Sequence, residues 1–120
     1  MATQLLLFSD LHRNTGAARS LIARSAGVDL EIGAADFGNL RCRVRDCVDI
    51  LRDLPCPVVL VAGNNESTEQ LAKACAGWPL AHVLHGTAAN VAGLALFGLG
   101  GGIPTTPFGP WSYDFTEDAA

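Results

Sequence analysis

The sequence lacks the cysteine patterns of a structural zinc site. It has four cysteines, none of them in a C-x-x-C pair, and no histidine lies at zinc-finger spacing from one. A zinc finger is therefore not expected. We predict that Cys42, Cys47, Cys56 and Cys75 are free buried thiols, and reduced thiols suit a cytoplasmic protein.

Positive charge and long apolar runs are also scarce. Eight basic residues stand against twelve acidic ones, so the net charge is −4 and the pI is about 5.1. A mildly acidic protein lacks the electrostatic footprint of a non-specific nucleic-acid binder. The N-terminal MATQLLLF has no basic segment, and its apolar run is too short for a signal peptide or a membrane span. We expect a cytoplasmic protein with neither a membrane nor a nucleic acid as its partner.

Two common catalytic motifs are missing as well. There is no G-x-S-x-G segment, which argues against a serine hydrolase of the nucleophile-elbow type. The run FGLGGG, residues 97–102, is rich in glycine, but Ile103 stands where the last glycine of G-x-G-x-x-G would fall. Pro104 then follows instead of a helix, so a dinucleotide loop is not expected.

What the sequence does contain is a regular alternation of strands and helices. Apolar residues make up 49% of its 120 residues and charged ones 17%, which fits a single domain over residues 1–120. The predicted strands are Leu5–Phe8, Val28–Gly33, Pro57–Gly63 and His82–His85. The predicted helices are Thr15–Ala26, Arg41–Leu54 and Glu69–Ala76, and a hairpin is predicted to turn at Gly93. This alternation predicts an α/β fold with a mostly parallel sheet and flanking helices.

Polar side chains follow three of the predicted strands at the point where each strand ends. Asp10 and His12 follow the first strand, Asp36 follows the second, and Asn64 and Asn65 follow the third. Ligands of open α/β sheets bind at the carboxyl ends of the strands, so we expect these side chains at one edge. Mixed oxygen and nitrogen donors suit Mn, Fe or Zn better than Mg or Ca.

The spacing within this set is compatible with a metal centre. On an extended segment the two side chains of D-x-H point to the same side, so Asp10 and His12 could hold one metal. The two oxygens of Asp36 could bridge two metals, and a two-metal site activates water and clamps a phosphoryl group. Each residue also has a simpler interpretation. Asp10 could be a surface or capping residue, Asp36 could shape an Asx-turn, and Asn64 and Asn65 could be turn residues with positive φ.

The three clusters together resemble the calcineurin-like metallophosphoesterase superfamily. That family carries D-x-H, then G-D-x-x-[DN], then G-N-H-[DE], each after a strand. The corresponding segments here are Asp10-Leu11-His12, Ala35-Asp36-Phe37-Gly38-Asn39 and Gly63-Asn64-Asn65-Glu66. The resemblance implies a metal-dependent phosphoric ester hydrolase that acts on a small-molecule or nucleotide phosphoester. It implies two divalent metals (Mn, Fe or Zn, with Mn favoured) and a metal-bridging hydroxide as the nucleophile.

The same resemblance implies roles for individual residues. Asp10 and His12 would bind the first metal, Asp36 would bridge both, and Asn64 would bind the second. Asn65 stands in place of the family's catalytic histidine and cannot shuttle a proton near neutral pH, which predicts a slower enzyme or one that needs a good leaving group.

Two further positions and one absence depart from the family pattern. Ala35 replaces a glycine, which we expect to be a mild backbone change, and Arg13 stands where a glycine is common. No histidine follows His85, although the family takes further metal ligands from its C-terminal half. We therefore expect the N-terminal half of a four-layer αββα sandwich, truncated near a helix that would begin at Thr116, with weak or no activity in the 120-residue form.

A second hypothesis is a non-catalytic module that binds a metal or ligand. An incomplete sandwich would expose apolar sheet surface, and such a surface marks an interface. This hypothesis predicts homo-oligomers formed through the exposed sheet.

Overall fold

The computed structural model describes residues 2–40, 43–102, 112–116 and 118–119. The elements within these residues are, in chain order, β1 (Leu5–Phe8), α1 (Thr15–Ala23), β2 (Leu30–Ala34), α2 (Arg45–Leu51), β3 (Val58–Val61), α3 (Thr68–Ala74), β4 (Ala81–Val83), β5 (Thr87–Val91) and β6 (Leu94–Gly98).

The first four strands form one parallel sheet in the order β1-β2-β3-β4, so neighbours in the sheet are also neighbours in the chain. Leu5 pairs with Leu30, Glu31 with Val58, and Val58 with Ala81. Each connection between these strands contains one helix, as parallel pairing requires. The predicted α/β class with a parallel sheet is confirmed.

One face of the sheet is covered by the three helices. Side chains alternate along β3, and Val58 and Leu60 point into a core that includes Phe37, Leu51 and Leu71, all fully buried. The helix α2 packs against both α1 and α3. Burying a side chain of this size stabilises the fold by about 1.5–3 kcal/mol, so this face contributes most of the hydrophobic stabilisation.

The opposite face is covered only in part, by the hairpin β5–β6. Val91 of the hairpin packs with Leu30, Val59 and Leu84 in a second, smaller core. The hairpin turn falls at Ala92-Gly93, where both residues have positive φ, 52° and 81°. That backbone matches the twist of a two-residue hairpin, and the predicted turn at Gly93 is confirmed.

The edge strand β1 is left uncovered on the hairpin face. Leu5 and Leu7 pair with Leu30 and Ile32, so they lie on that face, yet Leu7 is 66% exposed. On the outer side of the hairpin Phe97 is 68% exposed. Apolar sheet surface is thus exposed at both places.

The helices are shorter than predicted. We predicted that α2 would begin at Arg41, but Arg43 has a φ of 59° and the helix begins at Arg45. A left-handed residue cannot continue a right-handed helix, which explains the later start. Arg41 and Cys42 lie outside the described residues.

The other two helices also differ at their ends. The helix α1 ends at Ala23 rather than Ala26, because Ser25 Oγ donates to Leu21 O and Gly27 turns the chain with a φ of 76°. The capping box predicted for α3 is confirmed, since Gln70 N donates to Ser67 Oγ and Ser67 N donates to Gln70 Oε1. Where a helix was predicted to begin at Thr116, the described residues form a single turn closed by Ala119 N and Thr116 O.

Three of the four cysteines are described, and all three are free and buried as predicted: Cys47, Cys56 and Cys75. Burial raises the pKa of Cys56 and of Cys75 to about 11. Over the described part of the chain, no helix has the length and apolar character needed to cross a membrane.

Candidate metal centre at the carboxyl edge of the sheet

Asp10, His12 and Asp36 come together where β1 and β2 end. One ligand atom from each of the three lies within 4.8 Å of those of the other two. His12 Nε2 is 3.4 Å from Asp10 Oδ1 and 3.9 Å from Asp36 Oδ2. Because parallel strands end at the same edge of a sheet, β1 and β2 deliver these groups to one place.

The backbone that carries the first two side chains is not extended, contrary to our prediction for the D-x-H segment. Asp10 and His12 have φ values of 58° and 43°, both in the left-handed region. The segment is fixed by Asp10 N donating to Ala35 O (2.6 Å) and by His12 N donating to Asp36 O (2.8 Å). Leu11 between them is buried in the helix-side core. Backbone strain of this kind is common at functional sites. Here the side chains of Asp10 and His12 are exposed, while Leu11 between them is buried.

Asp36 is the buried member of the group, with its side chain only 10% exposed. Asp36 Oδ1 accepts a hydrogen bond from Asn65 N at 3.0 Å, so the carboxylate is oriented while Oδ2 faces His12. Gly63 lies directly against this carboxylate, and a Cβ at residue 63 would collide with Asp36 Oδ1. Gly63 therefore forms what we call the cradle of Asp36, the space for its carboxylate that any side chain at position 63 would fill.

Glu66 lies behind Asp36 and is fully buried. Its carboxylate accepts hydrogen bonds from the backbone N–H groups of Phe37 and, at 3.3 Å, of Gly63. Burial raises the pKa of Glu66 to about 7; the Phe37 N–H opposes this shift, and the neighbouring Asp36 adds to it. Our sequence reasoning assigned no role to Glu66. The only sequence feature that pointed to Glu66 was its place at the end of the third motif. Its partner Phe37 is 29 residues away in the chain, so no local pattern indicates their contact.

The two asparagines after β3 are bonded to each other. Asn65 Nδ2 donates to Asn64 Oδ1 at 3.2 Å, and Asn64 Nδ2 donates to Ser112 Oγ at 3.1 Å. Asn65 Oδ1 accepts from Leu40 N at 2.8 Å, so both ends of the buried Asn65 amide are engaged. An amide oxygen has two lone pairs, and the bond from Asn65 Nδ2 uses one of those on Asn64 Oδ1.

The donor set suits a divalent metal ion. Carboxylate oxygen and imidazole nitrogen are both common ligands of such ions in proteins. The side chains of Asp10 and His12 are 64% and 40% exposed, so water or a substrate can reach the group. The structure therefore contains a group of residues that can hold a divalent metal ion.

We compared the chain with known proteins. No family model and no curated protein matches it. The crystal structure of TT1561 from Thermus thermophilus matches with a TM-score of 0.82 and 18% identity, over 100% of this chain and 59% of that one. Another crystal structure matches with a TM-score of 0.72 and 14% identity, over 97% of this chain and 60% of that one.

These two matches show the fold, and at such low identity they show nothing more. This chain spans about three-fifths of the length of each of the two solved structures. Fold and site together define an α/β protein with a candidate divalent-metal centre at the carboxyl edge of its parallel sheet.

Proposed function

We propose that the protein is a metal-dependent phosphoric ester hydrolase. The observation that carries this proposal is the meeting of Asp10, His12 and Asp36 at one edge of the sheet, with ligand atoms within 4.8 Å of one another. The order of the three strand-end motifs, which resembles that of calcineurin-like metallophosphoesterases, selects phosphoester hydrolysis from among the reactions that a metal centre supports. The proposed substrate is a small-molecule or nucleotide phosphoester.

Each residue has a defined task in this proposal. A divalent metal supplies Lewis acidity toward a phosphoryl oxygen and lowers the pKa of bound water. Asp10 and His12 would hold a first metal, Asp36 would contribute to both metals, and Asn64 would contribute its amide oxygen to the second. Asn65 N–H holds Asp36 Oδ1, and Glu66 accepts hydrogen bonds from the N–H groups of Phe37 and Gly63. We favour Mn, and the resemblance implies two metals in a complete site.

An asparagine at position 65 limits the expected rate of ester hydrolysis. Its amide is engaged by Leu40 N and Asn64 Oδ1, and an amide cannot pass a proton to a leaving group near neutral pH. We expect slow turnover and a preference for esters with good leaving groups. The 120 residues contain no histidine beyond His85 that could add a ligand, so weak or undetectable activity of this chain alone is the expected result.

The experiment compares metal binding and hydrolysis in matched variants. Mn²⁺ titration by calorimetry and hydrolysis of p-nitrophenyl phosphate and bis-p-nitrophenyl phosphate are measured for the unaltered chain, for Asp36→Asn and for Asp53→Asn. Asp53 is an exposed aspartate just beyond α2 and serves as the control. We expect Asp36→Asn to lose Mn²⁺ binding and any turnover, while Asp53→Asn keeps both. Equal Mn²⁺ affinity in the two variants would overturn the assignment.

A second candidate function is a non-catalytic metal-binding module that self-associates. The observation in its favour is the exposed apolar surface of Leu7 and Phe97 on the side of the sheet away from the helices. Such exposure suits an interface between copies. Sedimentation velocity of the unaltered chain and of Leu7→Lys tests this candidate. A concentration-dependent dimer that Leu7→Lys abolishes supports it, and a monomer at all concentrations excludes it.

A further inference from the structure

Two arginines converge on one carboxylate beside the candidate metal centre. Arg13 Nε lies 3.5 Å from Asp46 Oδ2, and Arg43 Nε lies 3.0 Å from the same oxygen. Two guanidinium groups against one carboxylate leave a net charge of about +1 at this place. The protein as a whole carries −4, so this pair is a local exception to its acidic character.

The backbone holds Arg13 close to the candidate metal centre. Arg13 directly follows His12, and its N–H donates to Phe37 O at 3.0 Å, just as His12 N donates to Asp36 O. The same two chain segments thus carry Asp36, His12 and the first arginine. Arg43 and Asp46 stand at the start of α2, which leaves β2 at its carboxyl end and therefore begins at the edge that carries the centre.

Both arginines have an unusual backbone. Arg13 and Arg43 have φ values of 64° and 59°, in the region where a glycine is easier to accommodate. A left-handed conformation costs a residue with a Cβ about 1–2 kcal/mol. Such a conformation persists only where the surrounding structure holds it, and here the bond from Arg13 N to Phe37 O and the two contacts with Asp46 do so.

The unused donors determine what could bind. A guanidinium carries five N–H donors, and the Asp46 contact engages Nε of each arginine. The side chains of Arg13 and Arg43 are accessible to solvent, and the remaining N–H groups match the paired oxygens of a phosphate. Asp46 contacts both guanidinium groups and lowers their net charge, so the pair suits one anionic group better than a polyanion.

We propose that Arg13 and Arg43 form a subsite for a second phosphate group of the substrate, adjacent to the metal centre. This inference rests on the proposed function, because the reacting phosphoryl group would lie at Asp10, His12 and Asp36. The substrate class is then a phosphoric ester that carries a further phosphate, such as a nucleoside diphosphate or a bisphosphate. Arg13 and Arg43 are positioning and specificity residues that do not touch the reacting atoms.

The first test needs no metal and no turnover. Binding of inorganic pyrophosphate to the full chain is measured by calorimetry in the presence of EDTA, for the unaltered chain and for Arg13→Gln, Arg13→Lys and Arg19→Gln. Arg19 is an exposed arginine of α1 and controls for the loss of one positive charge. We expect Arg13→Gln to weaken binding about 10- to 100-fold, as the loss of charge-assisted hydrogen bonds does.

The conservative variant separates the two ways in which Arg13 could act. Arg13→Lys keeps the charge and loses the fork, so partial rescue is expected, while Arg19→Gln binds as the unaltered chain does. Equal pyrophosphate affinity in Arg13→Gln and Arg19→Gln overturns the subsite. A thermal melt of each variant accompanies the titration, so that unfolding is not mistaken for lost binding.

The second test distinguishes failure of the subsite from failure of the hydrolase. At one fixed Mn²⁺ concentration, calorimetric binding of inorganic phosphate, which has one phosphoryl group, is compared with binding of inorganic pyrophosphate, which has two. The expected result is that Arg13→Gln weakens pyrophosphate binding about 10-fold more than phosphate binding, whereas Arg19→Gln changes neither. An equal effect of Arg13→Gln on the two ligands overturns the subsite and leaves the hydrolase standing. Failure of the unaltered chain to bind Mn²⁺ overturns the hydrolase, and EDTA-insensitive pyrophosphate binding then tests the arginine pair alone.

Discussion

The two ends of the parallel sheet each contain a fully buried glutamate, and the surroundings of the two differ. At the carboxyl end, Glu66 accepts hydrogen bonds from the backbone N–H groups of Phe37 and Gly63 and so joins two strand-end loops. At the amino end, Glu31 accepts from Ser25 Oγ at 3.0 Å and from Cys56 Sγ at 3.5 Å. Its Oε1 has no hydrogen-bond partner among the described residues.

The donors at the amino end are weak. Ser25 Oγ also donates to Leu21 O at 2.6 Å, so one hydroxyl proton is shared between two acceptors, and a thiol is a poor donor. Burial raises the pKa of Glu31 above its ordinary value of 4.5, and these two hydrogen bonds oppose the shift only in part. Backbone N–H groups therefore satisfy the buried carboxyl group of Glu66, whereas the donors around the buried carboxyl group of Glu31 satisfy it poorly.

The largest expected effect comes from replacing each glutamate by leucine. Glu66→Leu leaves the Phe37 and Gly63 N–H groups buried without an acceptor, which costs about 1–3 kcal/mol for each group. Glu31→Leu removes an unsatisfied buried carboxyl, and we expect it to be neutral or stabilising. Chemical denaturation of both variants measures the difference. Similar losses at the two positions would show that the two ends do not differ in this respect.

The next effect concerns the cradle of Asp36. We expect Gly63→Ala to destabilise the fold by about 1–3 kcal/mol, because its Cβ would overlap the Asp36 carboxylate and force it to move. The displaced carboxylate should also weaken Mn²⁺ binding. Gly16→Ala in α1 is the control, since a Cβ there meets only Asn14 Oδ1 at 3.4 Å. Denaturation and Mn²⁺ titration are measured together, and unaltered Mn²⁺ affinity in Gly63→Ala would contradict the cradle.

A smaller effect is the pH dependence of stability that arises from Glu31. Its pKa is higher in the folded state than the 4.5 of an exposed glutamate, so the folded state binds more protons in the interval between the two values. Stability from this group is therefore complete below pH 4.5 and falls as the pH rises through the folded pKa. Glu31→Gln should flatten that part of the profile measured by denaturation against pH. A slope unchanged by Glu31→Gln would assign the dependence to another group.

The smallest expected effect is at Ala35. We predicted that alanine in place of the family's glycine would be a mild change, and Ala35 has a φ of 66°. Glycine should relieve a strain of about 1–2 kcal/mol but increase the entropy of the unfolded chain, so Ala35→Gly should stabilise by less than about 1 kcal/mol. Ala34→Gly, within β2, should destabilise instead. Thermal melts of the two variants check the difference in sign.

The sequence predicted the features that depend on local chemistry. Apolar runs located the four parallel strands, the Ser67–Gln70 spacing located the capping box, and Gly93 located the hairpin turn. Since parallel strands end at one edge, the proximity of Asp10, His12 and Asp36 followed from the fold class alone.

The features that sequence reasoning missed depend on distant contacts or on unusual backbone. Arg13 and Asp46 are 33 residues apart, and no local pattern indicates that they pair. The start of α2 was misplaced because the left-handed conformation of Arg43 cannot be inferred from an arginine. Propensity describes the common conformation of a residue, and these positions adopt a rare one.

The order of the strands bears on how the centre is assembled as the chain folds. Because β1 pairs with β2, residues up to Ala34 can form a first βαβ unit before β3 exists. The orientation of Asp36 instead depends on Gly63 and Asn65, which follow β3. In the proposed function, metal affinity would therefore report whether the second βαβ unit, β2-α2-β3, has docked. The centre would be completed late in folding, and it would be among the first features lost when the loop after β3 opens.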